Sequence, residues 1–93
     1  MNKSLSCLHC FVHGLVQGVY LRNWVQKQST KYTFNGWVRN CENGDVEIRV
    51  AGDINKIKNF LSDLKKGSLL AKIEQIYYDI NHEVIEPGLS VLK

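Results

Sequence analysis

Phe34-Asn35-Gly36-Trp37-Val38-Arg39-Asn40 and Val46-Glu47-Ile48-Arg49-Val50, joined through Glu42-Asn43-Gly44-Asp45, form the stretch on which the fold turns. Both arms alternate between apolar and polar residues, and the link supplies turn chemistry, so the stretch predicts a β-hairpin. Just beyond it, Gly52-Asp53 breaks the second strand and offers Asp53 as an N-cap. Ile54, Ile57, Phe60, Leu61 and Leu64 then recur at helical spacing, predicting an amphipathic helix that ends near Gly67. Lys56, Lys58, Lys65 and Lys66 flank that stripe as its solvated face.

Upstream of the hairpin, Leu21, Trp24, Val25 and Gln28, continued by Ser29 and Tyr32, predict a first helix from Tyr20 to about Tyr32. Over Leu5 to His13, Leu8, Cys10 and Val12 share one parity and His9, Phe11 and His13 the other, a strand whose first set faces the helices. Downstream, Ile73, Ile76, Tyr78 and Ile80 are compatible with a fourth strand, and Leu89 to Leu92 with a short last strand after Pro87-Gly88. The order is βαββαβ with a tail. Two crossover helices on one face of an antiparallel sheet give the ferredoxin-like α+β sandwich. That architecture hosts many functions, so the site must decide.

Ninety-three residues, 44% hydrophobic and 23% charged, suit one soluble globular domain spanning 1–93. Twelve basic against nine acidic side chains give +3, which favours small anions without the dense basic face of a nucleic-acid binder. No apolar run approaches the roughly 20 residues that span a bilayer, and Met1-Asn2-Lys3-Ser4 does not open a secretory signal, so a cytoplasmic protein without a membrane partner is the default. With no coiled-coil seam or covalent-cofactor motif, a monomer without cofactor is expected.

Cys7, Cys10 and Cys41 cannot all pair, which argues for free thiols. Cys7 and Cys10 form a C-x-x-C on a strand, where residues three apart point to opposite faces, a geometry unsuited to redox or zinc chemistry. His9, His13 and His82 have no spaced partner set, so sheet-surface or solvent roles are expected and no metal site.

The chemistry lies in Gly14-Leu15-Val16-Gln17-Gly18-Val19-Tyr20-Leu21-Arg22, a glycine-bracketed turn running into the first helix. Glycines permit backbone conformations in which successive N–H groups converge, and the helix N-terminus adds partial positive charge, so a phosphate fits there. Arg22 stands in the first helical turn, where the macrodipole disfavours a cation unless an anion compensates. The backbone of Leu15, Val16, Gln17, Gly18, Val19 and Tyr20 is the expected phosphate-binding loop, its shape mattering more than its side chains. Asn40 shares a strand face with Val38 and so emerges toward the helices, with Trp37 and Arg39 facing away.

These two phrases resemble the acylphosphatase family, whose signature pairs G-x-V-Q-G-V-x-F-R with a downstream G-W-V-R-N. The likeness continues through Asn43-Gly44-Asp45-Val46-Glu47, Gly52, Ala71-Lys72-Ile73 and Gly88-Leu89-Ser90-Val91. It implies metal-independent hydrolysis of small acyl phosphates to a carboxylate and inorganic phosphate, with Arg22 binding phosphate and Asn40 orienting the attacking water. Leu21 and Leu15 depart from the family's phenylalanine and frequent arginine, the latter removing charge beside the loop. Thr33 replaces a usual glycine. Because a β-branched residue is strained at positive φ, the first helix is expected to end differently.

The alternative is a noncatalytic ferredoxin-like module that senses phosphate metabolites or binds RNA or protein, with Phe11, Trp37 and Tyr78 lining an open sheet face.

Overall fold

The computed structural model describes residues 5–17, 21–66 and 72–82, together with the backbone of 89–92. The elements follow as β1 (Ser6–Leu15), α1 (Leu21–Tyr32), β2 (Asn35–Asn40), β3 (Val46–Gly52), α2 (Ile54–Lys66), β4 (Lys72–Asn81) and β5 (Leu89–Leu92). The βαββαβ order and the α+β sandwich read from the sequence hold. Gly67, Ala71 and the Pro87-Gly88 turn lie outside the described residues.

The strands line up as β4-β1-β3-β2-β5. β1 is antiparallel to both β3 and β4, β2 is antiparallel to β3, and β5 runs parallel to β2. β1 and β2 therefore point the same way, and the segments that leave them emerge at one end of the sheet.

Parity decides the two faces. Leu8, Cys10 and Val12 on β1, Val38 on β2 and Val46, Ile48 and Val50 on β3 are fully buried, as are Leu21 and Val25 of α1 and Ile57, Phe60 and Leu64 of α2. Removing such side chains from water stabilises the fold by about 1.5–3 kcal/mol each, which makes this one interface between sheet and helices its main support. Phe60 joins the two helices to the sheet, stacking on Trp24 at 5.5 Å and meeting Phe34 edge-on at 5.6 Å. Asp53 caps α2, its Oδ2 accepting from the N–H groups of Asn55 at 3.0 Å and Lys56 at 3.3 Å.

Two local findings depart from a plain reading of the alternation. On β4, Ile76, Tyr78 and Ile80 lie opposite Val12, Cys10 and Leu8, whereas Ile73 breaks their parity. A register shift reconciles them: His13 faces Gln75 but Gly14 faces Ile73, leaving Glu74 as the extra residue of a bulge. The same register corrects the expectation that Tyr78 lines the open face with Phe11 and Trp37. Tyr78 belongs to the helix side, with Lys65 Nζ 5.3 Å from the centre of its ring, and Tyr77 is the residue opposite Phe11.

The end of α1 also corrects an expectation. Thr33 adopts φ 56° despite its branched side chain. Its N–H donates to the Thr30 carbonyl at 3.3 Å, and the Phe34 N–H donates to the Ser29 carbonyl at 2.8 Å, the paired bonds of a Schellman turn. Burial of Phe34 fixes the direction in which the chain must leave the helix, and Thr33 takes the left-handed conformation that this exit requires. No helix of the described residues is long and apolar enough to cross a membrane.

Candidate active site at the loop end of the sheet

The site begins at the bulge. Gly14 has φ 137°, and a Cβ there would strike the backbone carbonyl oxygen of Lys72, so only glycine lets β1 and β4 approach as they do. Leu15, which ends β1, is 70% exposed, placing an apolar side chain in solvent beside the loop. Val16 turns inward and is 1% exposed, which anchors the loop to the core.

Gln17 supplies a tie that sequence reasoning missed when it valued the loop for shape over side chains. Its Nε2 donates to the carbonyl oxygens of Cys41 at 2.6 Å and Asp45 at 2.7 Å. The same turn is closed by the Cys41 N–H donating to the Asp45 carbonyl at 2.8 Å and the Gly44 N–H donating to the Cys41 carbonyl at 3.1 Å. A glutamine amide has two hydrogens to give, and here both fasten the loop to the β2–β3 turn. Gly18, Val19 and Tyr20 lie outside the described residues.

α1 resumes at Leu21, fully buried, and Arg22 follows half-buried in its first turn, which contains no acidic residue. The helix N-terminus thus carries positive partial charge and a guanidinium with no acidic side chain of that turn to balance them. Asn40 ends β2 opposite Val46, itself opposite Val12 on β1, so all three share one row and face the helices. The Asn40 Oδ1 is buried and has no hydrogen-bond partner among the described residues. A buried acceptor left unpaired costs about 1–3 kcal/mol, so a carboxamide retained there calls for a reason beyond packing. Topology therefore brings the described loop residues, Arg22 and Asn40 to the same end of the sandwich. A polar groove lined by Gln26, Ser29, Thr30, Thr33, Phe34 and Asn35 lies at the far end of α1 and does not belong to this arrangement.

The opposite face of the sheet is polar and organised around Glu47. Its Oε2 lies 2.6 Å from His9 Nε2 and its Oε1 accepts from Arg39 Nε at 2.7 Å. Burial pushes the Glu47 carboxyl up, but the bonds from His9 and Arg39 outweigh it and hold the group below the usual range. Arg39 also lies over the Trp37 ring at 5.5 Å, confirming that both side chains face away from the helices. Nearer the site, His13 Nδ1 lies 2.7 Å from Asp45 Oδ1.

Burial pushes the Cys10 thiol up to about 12 and raises those of Cys7 and Cys41, so the C-x-x-C has neither the shared face nor the stabilised thiolate of a redox pair. All three cysteines are free. Among the described residues, no group of three His, Cys, Asp or Glu side chains is set to hold a metal ion.

Topology alone assigns the molecule to the ferredoxin-like α+β class, which many unrelated functions share. Comparison with known proteins narrows this. Residues 8–87 match the family model for acylphosphatase. The chain is 43% identical over 70 residues to an acylphosphatase of Clostridium beijerinckii, covering 75% of this chain and 76% of that protein. It is 37% identical over 68 residues to an acylphosphatase of Alcanivorax borkumensis, covering 73% and 74%. Its fold superposes on the crystal structure of acylphosphatase from Bacillus subtilis with a TM-score of 0.88 at 30% identity, covering 95% of this chain and 99% of that one. The chain belongs to the acylphosphatase family, a family of acid anhydride hydrolases.

Proposed function

We propose that the protein hydrolyses the carboxyl–phosphate bond of small acyl phosphates, with the phosphoryl group held by Arg22 and by the main-chain amides of Leu15, Val16, Gln17, Gly18, Val19 and Tyr20. Water adds to phosphorus as the bond from phosphorus to the acyl oxygen breaks; the carboxylate leaves with the bonding pair, and the water's protons pass to phosphate and solvent. Because a carboxylate is a good leaving group, positioning and charge stabilisation supply most of what is needed, without a strong general base or a metal. The planar guanidinium of Arg22 matches two phosphoryl oxygens. Asn40 orients the water through its carboxamide, which accepts from one group while donating to another.

The single observation that carries this reading is the buried Oδ1 of Asn40, without a hydrogen-bond partner among the described residues, at the end of the sheet where the loop and α1 begin. The mild net charge of +3 favours approach of an anionic substrate. Hydrolysis of a synthetic aryl acyl phosphate in the presence of chelator tests the proposal, with Arg22→Ala and Asn40→Ala compared after their folding has been checked. A wild-type rate equal to the buffer rate, or full activity in both variants, overturns it.

A further inference from the structure

Asp45 is the point where the loop, the turn and the first strand meet. It is 7% exposed. Its backbone carbonyl accepts from Gln17 Nε2 and from the Cys41 N–H, and its own N–H donates to Asn43 Oδ1 at 3.0 Å. Its carboxylate lies against Asn43 Nδ2 at 3.2 Å through Oδ2 and against His13 Nδ1 at 2.7 Å through Oδ1. Cys41, bonded to both Gln17 and Asp45, follows Asn40 directly, so the placement of that carboxamide depends on this small network.

We propose that His13 is a positioning residue for the loop end of the sheet: paired with Asp45, it holds the β2–β3 turn against Gln17, and its protonation sets how firmly the loop and Asn40 are kept together. This deepens the reading of that loop as the phosphate cradle and rests on it. His13 has the reach to do so because it occupies the last open-face position of β1 before the Gly14 bulge, with its side chain half exposed and therefore in exchange with solvent.

Among the described residues, the charged and titratable groups around it are few. Asp45 and Glu47 face it from the β3 side, the former directly and the latter one pair further along the sheet. On β4, Gln75 lies opposite, Glu74 Oε1 comes within 3.9 Å of Nε2, and Tyr77 and Lys72 stand to either side. On its own strand the open-face neighbours are Phe11 and His9. The hydrogen bond to Asp45 and then the charge of Asp45 raise the imidazole above its ordinary value, with Glu74 adding to them and partial desolvation opposing. The sign follows. The pair acts in full below the ordinary imidazole value and is lost as pH rises through the raised one, leaving a neutral imidazole whose bond to Asp45 no longer carries an ion pair.

The test follows hydrolysis of an aryl acyl phosphate from about pH 6 to about pH 9 in the wild type, His13→Gln and Asp45→Asn, beside an NMR titration of the wild type reading the imidazole of His13 and the side-chain amides of Gln17 and Asn40. The wild-type KM is expected to rise about two- to fivefold as His13 loses its proton, the size appropriate to one partly exposed ion pair. In His13→Gln the KM is raised throughout and that step is gone, and in the wild type both amide resonances move with the His13 titration. Amides that stay fixed while His13 titrates, or the same pH dependence of KM in wild type and His13→Gln, overturn the proposal. Should either variant fail to fold, the wild-type titration decides. Full activity in Arg22→Ala and Asn40→Ala defeats the cradle instead, an outcome that the amide titration distinguishes from failure of His13.

Discussion

Gln17 Nε2 lies 2.6 Å from the carbonyl oxygen of Cys41, the residue that follows Asn40 in the chain. One side chain of the loop therefore registers the end of β2. Replacing Gln17 with Ala removes both of its bonds to the turn, and a buried bond of this kind contributes about 0.5–1.5 kcal/mol to stability. The expected result is a small loss in denaturant midpoint and a drop in kcat/KM of about tenfold or more, since misplacement of a substrate-positioning loop by a fraction of an ångström weakens catalysis steeply. Urea melts and steady-state kinetics on the same preparation separate the two effects.

Arg22→Ala and Asn40→Ala are expected to lower kcat by about a hundredfold or more while leaving the melting temperature nearly unchanged. Asn40→Ala removes a buried acceptor that has no hydrogen-bond partner among the described residues. Thermal melts of both variants beside the wild type provide the check. Chelator is expected to leave the wild-type rate unaltered.

Thr33→Gly is expected to raise stability by about 1 kcal/mol. A non-glycine residue held in the left-handed region costs about 1–3 kcal/mol, part of which is returned by the greater freedom of glycine in the unfolded chain. Both bonds of the turn, from the N–H groups of Thr33 and Phe34, are retained. Differential scanning calorimetry provides the measurement, and a destabilised variant contradicts the assignment of strain to this residue.

Glu47 titrates below the ordinary carboxylate range, its burial outweighed by His9 and Arg39. Its contribution to stability is thus present above the ordinary value and lost as pH falls through the depressed one. Glu47→Gln is expected to lower the melting temperature by about 5 °C near neutrality and to flatten its dependence on pH in the acid range. Parallel slopes in wild type and variant on acidification are the contrary result.

The fold was legible because each local signal agreed with the next: the turn at Asn43-Gly44, the cap at Asp53 and the stripe from Ile54 to Leu64 all point to the same order of elements. Parity likewise placed Asn40 with Val38 and sent Trp37 and Arg39 to the other face. What could not be read was what depends on register between distant strands. That Ile73 shares the side of Ile76 and Ile80 follows from a bulge at Glu74 that alternation within β4 does not reveal, and that Tyr77 is the residue opposite Phe11 follows from the pairing of β4 with β1. His9 with Glu47, and His13 with Asp45, meet only because β1 pairs with β3 at one offset; the signal was present in the matched parity of the two strands, but it required their alignment. Thr33 shows a different limit, since its local preference was read correctly and the packing of Phe34 overrode it.

The central place of β1 in the sheet has a kinetic consequence. Cys7 near the start of the chain sits opposite Asn81, and its other neighbour, Ala51, is also far away in sequence. Such distant pairings require large loops to close before any reward is collected, so folding should be slow for so small a molecule. On the ribosome, the first strand emerges long before either of its partners exists, and even after β3 has joined it, its other edge stays open until β4 has been synthesised.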